Sequence, residues 1–351
     1  MDVDLQAPLQ TRSIHPGPVR ENGLVYDNTM NHILVTGANG FVGRALCRQL
    51  LAEGQAVRGA VRTDAPQPGM SPGMAFVTVG DVNQSTEWTD ALAGRDVVVH
   101  LAARVHVMVE KASDPLAVFR EVNVSGTERL ARQAAASHVR RFVFISTLKV
   151  HGETSANPLT EDDEALPGDS YSVSKWEAEL ALRRVAAETG MEVVVIRPPL
   201  VYGPQVRANF LYLLKLVDSG IPLPFGAVRN RRSFIYLGNL VDAVTVAASH
   251  PRASGQSFLV SDGHDVSTGQ LITDIASAMG KPLRLWSVPT GFLRFFGKLC
   301  GRQDEVARLT GSLTVDCSGI KDRLGWRPPY SMMHGLEDTI RWYRSLGSVR
   351  E

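Results

Sequence analysis

The stretch Ile33-Leu34-Val35-Thr36-Gly37-Ala38-Asn39-Gly40-Phe41-Val42-Gly43 constrains the fold more than any other part of the chain. An apolar strand runs into three glycines spaced G-x-x-G-x-x-G and then straight into an amphipathic stretch, Arg44 to Glu53. Such a turn lets backbone approach a pyrophosphate: Gly37 permits the turn, Gly40 lets the ligand come close, and Gly43 lets the helix pack on the strand. The N–H groups of Phe41 and Val42 then open a helix whose dipole favours phosphate charge. Glycine triplets also occur in tight turns without a ligand, so the weight rests on the strand before this one and the helix after it.

Composition removes several classes of function. With 37 Lys+Arg against 36 Asp+Glu, the chain has no long-range field to draw in a nucleic acid, and no nucleic-acid partner is expected. Cys47, Cys300 and Cys317 form no C-x-x-C pair, which argues against a metal site or a disulfide framework. No run reaches the roughly 18 apolar residues of a membrane helix, and residues 1–29 lack the apolar centre of a secretory signal. A cytoplasmic protein with no stable membrane insertion is expected. Met30, directly before the first strand, reads as the start of the functional chain, with residues 1–29 a disordered leader.

Strand and helix patterns alternate from Ile33 onward: strands at Ala56 to Val61, Ala75 to Val79, Val97 to Ala103 and Arg141 to Thr147, with helical stretches between them. This alternation predicts an α/β fold with a doubly wound parallel sheet, whose ligands sit at the carboxyl ends of the strands. At the end of the second strand a carboxylate would hydrogen-bond the ribose hydroxyls of NAD. Here Val61 is followed by Arg62, whose guanidinium suits a 2'-phosphate, so NADP is expected. Asp64 keeps NAD open. Asp81, followed by Val82, stands where a carboxylate accepts from an adenine amino group, or where it merely caps a turn. Small Ala102 and Ala103 leave room for the cofactor after the fourth strand, while His100 within an apolar run reads as a core histidine. A helix is expected from Thr86 to Leu92, and Asn123 falls inside another.

Tyr171-Ser172-Val173-Ser174-Lys175 opens a helix that puts Tyr171 and Lys175 on one face, a turn apart. A phenol is a weak acid-base at neutral pH, but a neighbouring ammonium and a cationic nicotinamide both stabilise its anion. Such a pair moves the proton of a carbinol while a hydride moves to or from the cofactor.

With these residues in place the chain resembles the extended short-chain dehydrogenase/reductases of the NAD-dependent epimerase/dehydratase family. The resemblance is carried by Thr36 to Gly43, His100-Leu101-Ala102-Ala103, Ser146-Thr147, Tyr171 to Lys175, and Arg197-Pro198-Pro199-Leu200-Val201-Tyr202-Gly203-Pro204. It implies a Rossmann domain over 30–203, with 233–262 returning to it. A smaller α+β lobe for a UDP-sugar is implied over 204–232 and 263–345, with a tail at 346–351. It also implies that Thr147 hydrogen-bonds the reacting oxygen, that Tyr171 transfers the proton, and that Lys175 holds Tyr171 and the nicotinamide ribose. Leu101, Asn123 and Pro198 are set against the dinucleotide, and Asn209, Arg232 and, less firmly aligned, Arg308 grip the diphosphate. A homodimer is expected.

One departure bears on the reaction. Dehydratases of the family follow the threonine with Asp-Glu, whereas this chain has Leu148-Lys149, which cannot supply that acid and base. The run Ile145 to Glu153 with Ser174 to Glu179 is most similar to bacterial reductases of UDP-4-keto-6-deoxy-N-acetylglucosamine. NADPH-dependent 4-keto reduction is therefore expected. A UDP-hexose 4-epimerase with retained NAD, a reductase of a steroid or other carbonyl, and a nonenzymatic dinucleotide sensor remain as alternatives. Strands are expected at Ser233 to Leu237, Ser257 to Ser261 and Leu283 to Val288. Helices are expected at Ala208 to Asp218, Leu240 to Ser249, Thr268 to Met279, Ser318 to Leu324 and Met332 to Arg344. Phe292-Leu293-Arg294-Phe295-Phe296 admits an apolar patch touching a membrane, but so short a run reads rather as core or a dimer contact.

Overall fold

The computed structural model describes residues 31–64, 70, 74–105 and 114–347. The expected leader, the loop Pro66 to Pro72 apart from Met70, and residues 348–351 of the expected tail lie outside the described residues. Nine strands are present among the described residues: β1 (His32–Thr36), β2 (Ala56–Val61), β3 (Ala75–Thr78), β4 (Val97–His100), β5 (Arg141–Ile145), β6 (Glu192–Arg197), β7 (Leu200–Tyr202), β8 (Phe234–Tyr236) and β9 (Ser257–Leu259). Seven of them form a parallel sheet in the order β3-β2-β1-β4-β5-β6-β9, while β7 and β8 pair with each other. The central strand β1 sets the register on both sides, with Ile33 opposite Val57 and Val97. The chain leaves β1 in one direction to β2 and β3, then crosses to β4 on the other side. This reversal opens a crevice at the carboxyl ends of β1 and β4.

The helices are α1 (Phe41–Ala52), α2 (Thr89–Leu92), α3 (Pro115–Arg120), α4 (Gly126–Ala136), α5 (Ser170–Thr189), α6 (Ala208–Asp218), α7 (Leu237–Ser249), α8 (Thr268–Met279), α9 (Thr290–Leu299), α10 (Gln303–Thr310), α11 (Ser318–Leu324) and α12 (Met332–Gly347). Strand alternation divides the core in two. Val35, Val99 and Ile196 face one side with Leu46 and Leu50 of α1 and Leu240 and Val244 of α7. Leu34, Val98 and Phe142 face the other with Leu130 of α4 and Leu182 and Val185 of α5. The first layer continues into Phe210 and Leu214 of α6, Ile272 of α8 and Leu336 of α12, so the carboxyl-terminal helices share a core with the sheet.

Three local expectations differ from the structure. Residues 283–288 form no strand; a single bridge joins Leu285 to Leu223, because Pro282 and Pro289 bound a segment with little room for a ladder. The helix expected from Thr86 starts only at Thr89: the Thr86 hydroxyl donates to Asp81 O and accepts from Asn83 N, holding a turn instead. Asn123 lies inside a helical stretch as expected, in the π-helical turn Glu121–Ser125 that joins α3 to α4 without a break. Phe292, Phe295 and Phe296 are exposed rather than core.

Candidate active site

The glycine turn explains itself sterically. Gly37 has φ +64°, and a Cβ there would lie 2.9 Å from Ala102 N, while one on Gly43 would lie 2.2 Å from Gly37 O. Gly40 begins α1 with no side-chain cap, and no acid stands in the helix's first turn. The first N–H groups of α1, Phe41 and Val42 among them, therefore have no side-chain cap and no acid within their own turn. These residues fit a dinucleotide pyrophosphate, and they are the ones that would hold it.

Behind the turn, His100 is a structural residue. The Thr36 hydroxyl accepts from Leu101 N at 3.2 Å and Ala102 N at 3.1 Å and lies 2.7 Å from His100 Nδ1. With both lone pairs engaged, the hydroxyl donates to Nδ1, which leaves the proton on Nε2 to reach Thr127 Oγ1 at 3.0 Å. Burial, with Lys175 adding to it, pushes His100 down to about 3, so the ring is neutral. It anchors the Leu101-Ala102 turn beside the glycines.

The expected adenosine-end residues fall at the other side of the crevice. Arg62 Nε lies 2.9 Å from Asp81 Oδ1, with both side chains about three-quarters exposed at 76% and 73%. Val82 packs beneath Gly126, where a Cβ would meet it at 2.7 Å. Asn123 is engaged by protein groups. Its amide donates to Arg104 O and Ser174 Oγ and accepts from Arg104 N, so it braces the segment after β4 against α5.

Asp169 caps α5, accepting from Ser172 N, and Ser172 Oγ accepts in return from Asp169 N. This capping box fixes the first turn, on which Tyr171 sits with its ring edge-on to Phe119. Lys175 follows one turn later, 2% exposed, its Nζ 3.8 Å above the Phe144 ring. Burial lowers Lys175 to about 7 although Glu179 opposes it, and burial together with Asp169 raises Tyr171 to about 12. The lowered phenol expected from the neighbouring ammonium is thus not found in the protein alone: desolvation dominates both groups. Pro198 O accepts from Leu148 N at 2.9 Å and so positions Thr147, which ends the loop after β5.

Lys149 joins these parts. Its Nζ is 2.7 Å from Glu153 and 3.0 Å from Asp169, which ties the Thr147 turn to the start of α5. Glu153 in turn accepts from Arg308 Nε at 2.8 Å, and Arg232 donates to Arg308 O at 2.8 Å. Burial lowers Arg232, with Arg308 adding to the effect and Glu153 opposing it. Arg232 and Arg308 therefore converge, whereas Asn209 is exposed on the first turn of α6, outside this network.

The chain matches the model of the NAD dependent epimerase/dehydratase family over residues 33–261. It belongs to that family. The UDP-glucose 4-epimerase of Vibrio cholerae is 47% identical over 317 residues, 88% of this chain and 94% of that protein. Among solved structures, the UDP-glucose 4-epimerase of Thermotoga maritima, with UDP-glucose, superposes with a TM-score of 0.71 at 22% identity. That match covers 90% of this chain and 99% of the other. MoeE5, in complex with UDP-glucose and NAD, gives a TM-score of 0.71 at 26% identity, with coverages of 90% and 99%. The family is NAD-dependent, as the sequence resemblance implied.

Sequence reasoning named no role for Glu153 or Asp169 and treated Lys149 only as a departure from the dehydratases. The D-x-x-S pattern at Asp169 was a visible cap. The four-residue interval from Lys149 to Glu153 also admits an ion pair. The link from Glu153 to Arg308 left no local trace. Ser146 Oγ is buried with no hydrogen-bond partner among the described residues, beside Thr147 at the carboxyl edge of the sheet.

Proposed function

We propose that this family member is an NAD(P)-dependent oxidoreductase acting at C4 of a UDP-linked hexose. Its principal reaction on this reading is NADPH-dependent reduction of the 4-keto group of a UDP-4-keto-6-deoxyhexose, in surface-polysaccharide assembly. The observation that carries it is the pair of residues after Thr147. Leu148 is buried in the core with Leu259 and Leu313, and Lys149 is held by two carboxylates. Neither is an acid or base for eliminating water, so the site's chemistry reduces to exchange of a hydride and a proton at one carbon.

The reduced nicotinamide, when bound, supplies the hydride. Tyr171, protonated in the free protein because burial holds it near 12, is ready to give its proton to the carbonyl oxygen as that oxygen gains charge. Thr147 would donate a hydrogen bond to the same oxygen, and Lys175 would steady the phenol and the ribose. Arg232 and Arg308 would receive the diphosphate in place of Glu153. Arg62 supports NADPH, since its guanidinium stands beyond β2 with its Asp81 partner in solvent.

A second reading, 4-epimerisation with retained NAD, is favoured by the 47% identical Vibrio cholerae relative and uses the same residues. Incubation with NADPH and enzymatically generated UDP-4-keto-6-deoxy-N-acetylglucosamine separates the two. Loss of NADPH absorbance with a 4-hydroxy product by NMR supports reduction; interconversion of UDP-hexoses without net cofactor use supports epimerisation. Absence of both reactions leaves a dinucleotide binder without catalysis and ends the proposal.

A further inference from the structure

We infer that α9 is a docking surface for an anionic phospholipid membrane. The inference is independent of the sugar and the reaction. Phe292, Phe295, Phe296 and Leu299 are 59%, 64%, 56% and 72% exposed. Their spacing of i, i+3, i+4 and i+7 places them within an arc of about 100° on the helix. The opposite side is the packed one: Gly297 is buried against α10, where a Cβ would lie 2.6 Å from Val306. Trp286, four residues before the helix, is 63% exposed. Three phenylalanines, a leucine and a tryptophan thus face solvent on one short segment, a composition that favours the headgroup boundary of a bilayer.

Charge says what covers this face. Between Asp274 and Asp304 the chain carries Lys281, Arg284, Arg294, Lys298 and Arg302 and no carboxylate, in a protein whose net charge is only +1. Lys281 pairs with Asp218 and Arg302 with Glu305. Among the described residues no carboxylate pairs with Arg284, Arg294 or Lys298. Aromatic residues flanked by unneutralised cations suit a surface of anionic headgroups, each nearby cation adding to the attraction. A second copy of the chain fits less well. An isologous contact through α9 would bring two copies of Lys298 together, with no acid in the helix to answer them.

The packed side of α9, opposite the docked face, leads towards the site. Arg294 Nε reaches Thr310 Oγ1 at 3.4 Å, and α10 also carries Arg308. Docking through the aromatic face would leave α10 on the far side of α9 from the lipid and would not insert the chain; no helix among the described residues is long and apolar enough to cross a membrane.

Cosedimentation with vesicles tests this directly. The full-length protein is expected to pellet with vesicles of equal parts phosphatidylglycerol and phosphatidylcholine, and to remain in solution with phosphatidylcholine alone. Lys298→Gln should weaken the association about fivefold, and Phe295→Glu with Phe296→Glu should abolish it while leaving the unfolding midpoint and NADPH binding unchanged. No association of the wild type with the anionic vesicles, or equal association of the double variant, overturns the inference. So does a wild-type dimer that the double variant splits in sedimentation velocity, since the face then belongs to a second copy.

Discussion

Arg308 Nε and Glu153 Oε2 lie 2.8 Å apart although 155 positions separate them in the chain. Glu153 also holds Lys149, so one carboxylate stands among the cations that a diphosphate would meet. Burial opposes its ionisation, but Lys149 and Arg308 outweigh burial and hold it below the usual glutamate range. Glu153→Gln removes the competing anion and leaves the cations in place. UDP binding measured by calorimetry is expected to tighten about fivefold, the size of a partly exposed ion pair. Weaker binding would show that Glu153 instead orients Arg308 for the substrate.

The capping box on α5 gives a prediction about chemistry that leaves the fold alone. Tyr171→Phe keeps the ring that meets Phe119 edge-on and removes only the hydroxyl. A loss of about 10²–10⁴ in kcat is expected, the scale of general acid catalysis. Dissociation constants for NADPH should stay within about twofold, since the variant changes no phosphate contact. Near-normal turnover would take Tyr171 out of the proton transfer.

Lys175 makes stability depend on pH in a known direction. Its folded pKa is about 7 against an ordinary value of 10.5. Below pH 7 the ammonium is charged in both states, and its burial costs stability in full. Between pH 7 and 10.5 the unfolded chain binds the extra proton, so this cost falls as pH rises. Lys175→Met should therefore stabilise the cofactor-free protein by a few kcal/mol at pH 6, since each tenfold loss of proton affinity on folding corresponds to about 1.4 kcal/mol. That advantage should shrink towards pH 10. Thermal melts at the two pH values check the sign; an advantage that does not change with pH would show that the amine is solvated.

The helices that the sequence located best carry their own boundaries. The limits expected for α6, α8 and α11 coincide with those observed. In α8 the reason is visible: Ser267 caps one end by accepting from Gln270 N, and Gly280 closes the other at φ +62°. Segments whose state depends on distant partners were less legible. Residues 283–288 have an apolar, strand-like composition but form only one isolated bridge, to Leu223, and Thr86 is diverted by a turn that no helical period announces. The site divides in the same way. The Tyr171-Lys175 interval is a property of one helix, whereas the junction of Glu153, Arg308 and Arg232 exists only after α10 packs beside the loop that follows β5.

A buried ion pair beneath the site sets the stability of this layer. Arg197 donates from Nη2 and Nε to Glu179 at 2.6 Å and 3.1 Å, and from Nη1 to His151 Nε2 at 2.9 Å. Both members of the pair are sealed from solvent, at 2% and 0% exposure. Glu179→Gln keeps the shape but leaves the guanidinium without its counter-charge, and a loss of about 3–5 kcal/mol is expected. Chemical denaturation measures it. A change below about 1 kcal/mol would mean that His151 and the backbone suffice to solvate Arg197.

We propose that Arg62 discriminates between the two cofactors. Its guanidinium and the Asp81 carboxylate are mostly in solvent, so their pairing contributes little to folding. The fold therefore gives no strong reason for an arginine directly after Val61. A 2'-phosphate would give one, because a guanidinium fork meets phosphate oxygens in bidentate geometry. Arg62→Ala should leave the unfolding midpoint in place and raise the KM for NADPH by about tenfold, the effect of losing one charge-assisted contact of about 1.5 kcal/mol. The KM for NADH should change by less than about twofold. Equal losses for both cofactors would assign Arg62 to the shared part of the dinucleotide and return the site to the NAD preference that Asp64 leaves open.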